Sequence, residues 1–208
     1  TRQFDQAIAK IPVRGVTAIA LSSDGKQIAI ATPADSKLKP GKIQIYSLAN
    51  LAAPLLTQQL DAQSLTISQL EFSRDDSSFL SVGIPSKIRK SSGNVTEKEL
   101  MIWKNWSPID VKLIVTNGQL PKFSRATFSE NGERILTTHP DALPMEQVVH
   151  VFEQRDTGFL WIDTSPTGLN AADFENPSGS SIVASARDSQ SGTYSLVSWR
   201  LRVPTSSA

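Results

Sequence analysis

From Gly15 to Leu48 the apolar positions recur every second residue. Ile19 and Leu21 mark one run, Ile28 to Ile30 a second, and Ile43 to Tyr46 a third. Alternation over such short runs predicts three β-strands rather than a helix. Between the first two runs stands Asp24-Gly25, which predicts a two-residue type I′ hairpin with both residues at positive φ.

The pattern recurs. Leu70 and Phe72 precede Asp75-Asp76, Phe128 precedes Asn131-Gly132, and Phe174 precedes Ser178-Gly179. Each unit then closes with an alternating strand that ends in an aromatic: Tyr46, Trp103, Phe152 and Trp199. From the second turn residue to that aromatic the separations are 21, 27, 20 and 20, so only the second unit carries an insertion. The turns themselves are 51, 56 and 47 residues apart. Three strands per visible unit at a period near 50 predict a β-propeller.

A fourth strand per unit is expected after the aromatic, at 55–60, 109–115 and 158–164. After the fourth unit only a short tail remains, so residues 3–11 are expected either to supply its outer strand or to complete a blade whose other strands lie elsewhere. The expected fold class is therefore all-β: a propeller of about four four-stranded antiparallel blades, with approximate limits 1–48, 55–106, 109–155 and 158–203. Residues 1–208 read as a single propeller domain or propeller segment. Four units are few for a closed ring, and an open one leaves strand edges that template further pairing. Part of a larger or assembled propeller is the expectation, completed by further residues or by another chain.

The units resemble WD40 repeats and the related TolB-like propeller repeats over nearly the whole chain. The resemblance rests on the turn formed by Ser22, Asp24 and Gly25, on the small residues after the second strand, and on the aromatic ending the third. Unit four is the nearest match, with Ser185, Asp188 and Trp199 where WD40 repeats carry a serine, a loop aspartate and a tryptophan. No Gly-His precedes a unit and none ends in Trp-Asp, so the family's hydrogen-bonded network is incomplete here.

Composition changes this picture little. The chain has 39% hydrophobic and 20% charged residues, a net charge of +1 and no cysteine. Disulfides and thiolate-metal sites are excluded, and no global charge draws it to nucleic acid or membrane. No apolar run approaches the roughly 18 to 20 residues of a membrane span, and the first ten residues lack a signal-like apolar core. A soluble chain is expected, with the cytoplasm favoured. A start at Thr1 suits an excised domain, a processed chain or a truncated one equally.

Motifs for nucleophilic, phosphate-binding or dinucleotide chemistry are absent. His150 lies between Val149 and Val151 on an alternating strand and is expected on its other face. His139, two residues from Asp141, sits in a loop, but one His and one Asp make no metal site. Neither a cofactor nor enzyme activity is expected.

The loops carry the remaining signal. Those that join second to third strands, and one unit to the next, share a face and place Lys37, Lys39, Lys87, Arg89, Lys90, Lys122 and Arg125 there, with Arg14, Lys42 and Arg187. The opposite turns carry Asp24, Asp75, Asp76, Glu130 and Glu133. A neutral chain is thus expected to be polarised. Lysine-rich loops can be merely solvated; the functional reading is an anionic partner, an acidic protein surface or nucleic acid held through phosphates. The insertion at 84–99 is expected to mark its blade for a contact or to be a tolerated excursion. Trp106, and Trp161 on an outer strand, are packing aromatics or exposed anchors. Asn94 and Asn105 begin glycosylation sequons, which matter only in a secreted eukaryotic chain. The expected function is a non-catalytic interaction or scaffolding propeller with a protein partner or further blades, self-association included. The alternative is a regulatory or sensor domain of a larger enzyme or effector complex, in contact with nucleic acid.

Overall fold

The computed structural model describes residues 10–34, 41–50, 53–61, 64–85, 99–104, 107–109, 113–114, 123, 125–139, 148–155, 158–164, 169–187 and 191–201. Among these residues there are sixteen strands and no helix. Among the described residues no helix is long and apolar enough to cross a membrane.

The first sheet follows chain order: β1 (Ala18–Leu21), β2 (Gln27–Thr32), β3 (Lys42–Ser47) and β4 (Leu55–Asp61). The second repeats it with β5 (Ser64–Phe72), β6 (Ser78–Pro85), β7 (Glu99–Lys104) and β8 (Ser107–Ile109). Then comes β9 (Leu113–Ile114), and the third sheet runs β10 (Arg125–Phe128), β11 (Arg134–Thr138), β12 (His150–Arg155) and β13 (Gly158–Thr164). The fourth has β14 (Leu169–Phe174), β15 (Ser181–Arg187) and β16 (Tyr194–Arg200). The result is an all-β, β-propeller-like fold of successive antiparallel sheets.

The expected strands at 55–60 and 158–164 are β4 and β13. The one expected at 109–115 is not a single strand. Its place beside β7 is taken by β8, while β9 pairs in parallel with β13 at the far edge of the third sheet. The outer strand expected from residues 3–11 lies almost wholly outside the described residues.

One register recurs in every sheet. Leu21 pairs with Ile28 and Ile28 with Tyr46. The same row reads Phe72, Phe79, Trp103 in the second sheet, Phe128, Ile135, Phe152 in the third, and Phe174, Ile182, Trp199 in the fourth. Period two sends the next residue of each strand to the opposite face. The core is therefore split between sheets. Ile43 and Ile45 meet Phe79 and Trp103 across the first gap. Leu80 and Ile102 meet Ile135 and Phe152 across the second, and Leu136 and Val151 meet Ile182 across the third. Adjacent residues such as Phe79 and Leu80 thus belong to different cores, which is why the central strands read as nearly continuous apolar runs. In the second sheet the row is tightened by chemistry. Phe79 stacks on Trp103 with centroids 5.5 Å apart and planes 5° from parallel, and the Trp103 indole N–H donates to Ser81 Oγ at 2.9 Å.

That Trp–Ser bond corrects the placement expected for unit four. Trp199 pairs with Ile182, and the residue two further along β15, where Ser81 stands in β6, is Ala184 rather than Ser185. Asp188 lies outside the described residues.

Candidate functional site

The turns that link the first two strands of each sheet share one construction. Ser22 Oγ accepts the Gln27 N–H at 2.8 Å and lies 2.8 Å from Asp24 Oδ1, which in turn accepts the Lys26 N–H at 2.9 Å. Ser73 with Asp75, and Ser129 with Asn131, repeat the arrangement. In the fourth sheet Asn176 does both jobs, accepting the Ser180 N–H at 2.9 Å and donating to Ser181 Oγ at 2.8 Å. These side-chain bonds hold a turn wider than the type I′ hairpin expected from Asp24-Gly25. Ser22 N donates to Gln27 O, and of the pair only Gly25 has positive φ, at 69°. Hydrogen bonds from the Lys26 backbone N–H, the Ser22 hydroxyl and the Lys26 ammonium hold Asp24 well below the usual carboxylate range, at about 2.

The turns also bind one another. Asp76 accepts the N–H groups of Ser23 at 2.7 Å and Asp24 at 3.1 Å. Arg74 pairs with Glu130 in the next turn. Asn131 N donates to Pro177 O at 3.0 Å, and buried Arg134 donates to Gly179 O at 2.8 Å while its other terminal nitrogen holds Glu153 at 2.9 Å. Of the five acidic turn residues expected to polarise this face, the carboxylates of Asp76 and Glu130 join sheet to sheet, while those of Asp24, Asp75 and Glu133 bond within their own turns.

A second set of ties runs between the first strands. The Gln69 amide accepts from Ala126 N at 3.1 Å and donates to Ala126 O at 2.5 Å, as a neighbouring strand would. Glu71 Oε1 accepts from Thr127 Oγ1 at 2.7 Å and from Phe128 N at 2.9 Å. Burial raises the Glu71 pKa, opposed by those hydrogen bonds and reinforced by the Asp173 carboxylate. Neither Gln69 nor Glu71 stands out in the sequence. Their only signal was polar residues at alternate positions of a first strand that otherwise reads as core.

Where these strand ends converge there is an open cavity of about 360 Å³, lined among others by Ser23, Glu71, Arg74, Glu130, Asp173 and Asn176. It offers carboxylates, amides and hydroxyls for hydrogen bonding. Among the described residues no group of three or more His, Asp or Glu side chains is arranged to hold a metal ion.

Of the residues expected on the basic face, Arg125 is exposed at the first position of β10, at the end of the sheet away from the turns. Arg14 is exposed ahead of β1, and Lys42 is half-buried at the start of β3 beside Asp61, so all three lie at the ends opposite the Ser–Asp turns. Lys37, Lys39, Lys87, Arg89, Lys90, Lys122 and Trp106 lie outside the described residues, as does Asp141. His150 is buried on the face opposite Val149 and Val151, where desolvation lowers its pKa to about 4.

No protein-family model and no curated protein matches the sequence. Solved structures do match. Saccharomyces cerevisiae Sqt1, a WD40 protein, has a TM-score of 0.56 at 8% identity over 89% of this chain and 45% of its own. Kuenenia stuttgartiensis hydrazine synthase, which has β-propeller subunits, has a TM-score of 0.60 at 11% identity over 88% of this chain and 58% of its own. The chain thus spans about half the length of these structures. With 801 solved chains similar at this level, the likeness identifies an architecture and not a relative. That architecture is the β-propeller-like one seen in the sheets and their register.

Proposed function

We propose that this chain is a non-catalytic interaction propeller that holds a loop-bearing face in place for a protein partner. Its 208 residues form one domain of a larger or assembled propeller. The supporting observation is the set of ties at the turn face: Asp76 to Ser23 and Asp24, Glu71 to Phe128, and Arg134 to Gly179. They join four sheets at one end. The opposite end, where Arg14, Lys42 and Arg125 lie, is left to carry variable loops. The likeness to Sqt1 supports a scaffold role, and we assign the contact set to the loop residues Lys37, Lys39, Lys87, Arg89, Lys90, Lys122 and Arg125, with Trp106 as an anchor.

An acidic protein surface fits this set, because short-range pairing with several lysines and arginines needs clustered carboxylates. The test titrates the purified chain with a polyglutamate peptide and, separately, with single-stranded RNA, each at two salt concentrations. Binding of the peptide that weakens when Lys87, Arg89 and Lys90 are together replaced by alanine, with the fold intact, supports the proposal. Binding of RNA alone, or of neither, overturns it. A second reading, an accessory propeller within an enzyme assembly, is favoured by the likeness to hydrazine synthase.

A further inference from the structure

The register row that seats each sheet on the one before it is also present in the first sheet, where nothing in the chain's described residues covers it. Phe72 is 8% exposed against the first sheet, whereas Leu21, at the same register position, is 58% exposed. The row extends across all four strands as Leu21, Ile28, Tyr46 and Leu56. It is a seat for a preceding sheet.

The last sheet shows the converse. Three residues before the closing aromatic, Ile43, Leu100 and Val149 are 0%, 7% and 0% exposed because each packs into the seat of the following sheet. Leu196 holds that position in β16 and is 81% exposed. Its neighbours on the same face include Ser185, its register partner, and Val183. Tyr194, on the same face of β16, is 67% exposed, so it forms with Leu196 an exposed apolar strip of the kind that marks an interaction site.

We infer that the two faces mate between two copies of the chain, the Leu196 face of one on the Leu21 seat of the other, in two equivalent head-to-tail contacts that close a ring. A second copy carries both faces and brings polar complementarity to their contact. Asp173 occupies the register position of Glu71, one residue before the row phenylalanine. Glu71 accepts the backbone N–H of Phe128 in the following sheet, and the counterpart of Phe128 in the first sheet is Leu21. Asp173 of one copy is therefore set to take the Leu21 N–H of the other. At the centre of the two faces the polar residues are neutral, Gln44 on the seat and Ser185 on the opposing face, while the charged ones stand at the strand ends, Lys42 as the register partner of Asp61 on the seat and exposed Arg200 with Glu175, which accepts from Ser198, on the opposing face, where solvent reaches them. Heterologous contacts of this type close when the rotation between copies completes a circle.

The inference rests on the reading of the chain as an assembled propeller, but its test is independent of the peptide titration. Mass is measured by light scattering for the wild type, Leu21→Lys, Leu196→Lys and an equimolar mixture of the two variants. The expected wild type has roughly twice the 22.6 kDa of the chain. Each variant alone is monomeric with an unchanged circular dichroism spectrum, since both substitutions are at exposed positions. In the mixture one intact seat meets one intact opposing face, so association returns. A monomeric wild type at the highest attainable concentration overturns the inference. So do variants that dimerise like the wild type, or a mixture that stays monomeric. A failed peptide titration would leave this interface standing, and a monomeric chain would leave the titration interpretable.

Discussion

The carboxylate of Asp76 accepts the backbone N–H of Ser23 at 2.7 Å, across 53 positions of sequence. Asp76 sits at φ 56°, where the equivalent turns have Gly25, Gly132 and Gly179. A non-glycine residue in this region is strained by roughly 1–2 kcal/mol, less for aspartate, which tolerates it. The bonds to Ser23 and Asp24 offset that strain by tying the second sheet to the first.

Asp76→Ala keeps the strain and loses both bonds, and is expected to cost about 1–3 kcal/mol. Asp76→Gly loses the bonds but relieves the strain, so it should be milder by about 1 kcal/mol. Urea denaturation of the two variants checks the order. Equal losses would mean that backbone strain at this position contributes nothing.

Gly179 and Gly132 separate two reasons for a glycine. Both have positive φ, but a Cβ on Gly179 would stand 2.8 Å from Ser129 Cβ in the neighbouring turn, while one on Gly132 meets nothing within 4 Å. Gly132→Ala is expected to cost about 1 kcal/mol from the backbone alone. Gly179→Ala should cost about 2–4 kcal/mol, because overpacking is added and the Arg134 bond to the Gly179 carbonyl is displaced. Thermal unfolding of the pair measures the difference.

Ser81 supplies the acceptor for the buried Trp103 indole N–H. Ser81→Ala leaves that donor unsatisfied between the first two sheets and is expected to cost about 1–3 kcal/mol. Ser185→Ala, at the position the repeat resemblance pointed to, is expected to be neutral within about 0.5 kcal/mol. Parallel denaturation curves decide between the two assignments.

Two buried groups give stability opposite pH dependences. His150 has its pKa lowered from 6.5 to about 4 by burial, so between these values the unfolded chain binds a proton that the folded chain refuses. Its contribution is complete above pH 6.5 and is lost as pH falls through 4, on the order of 3 kcal/mol in all. His150→Gln should flatten that slope. Glu71 is shifted upward from 4.5, so its favourable term is present below that value and is lost as pH rises through the shifted one. Glu71→Gln retains an acceptor for Phe128 N and should gain on the wild type as pH rises. Urea midpoints across pH 4 to 8 for the three proteins test both signs.

Strand order within a unit was legible because it is local. Alternation at Ile28 to Ile30 or at Ile43 to Tyr46 needs only the two faces of a strand, and the closing aromatics at Tyr46, Trp103, Phe152 and Trp199 mark one register position in all four sheets. The glycine at the second turn position was legible for the same reason, although Ser22 and Asp24 widen the turn beyond the one expected. The candidate basic face rested on loop assignment alone; Lys37, Lys39, Lys87, Arg89, Lys90, Lys122 and Trp106 lie outside the described residues, and Arg14, Lys42, Arg125 and Arg187 lie among them.

What the tertiary structure alone decided lies between units. Gln69 and Glu71 read as ordinary polar residues on a strand until the third sheet brings Ala126 and Phe128 beside them, 57 positions away. The same holds for β9, whose two residues leave the sheet of their own unit to lie along β13. Leu21 and Phe72 carry the same apolar pattern, yet one is buried and the other exposed. Periodicity reports which face of a strand a residue occupies; whether another sheet covers that face depends on contacts between distant segments, which no local pattern encodes.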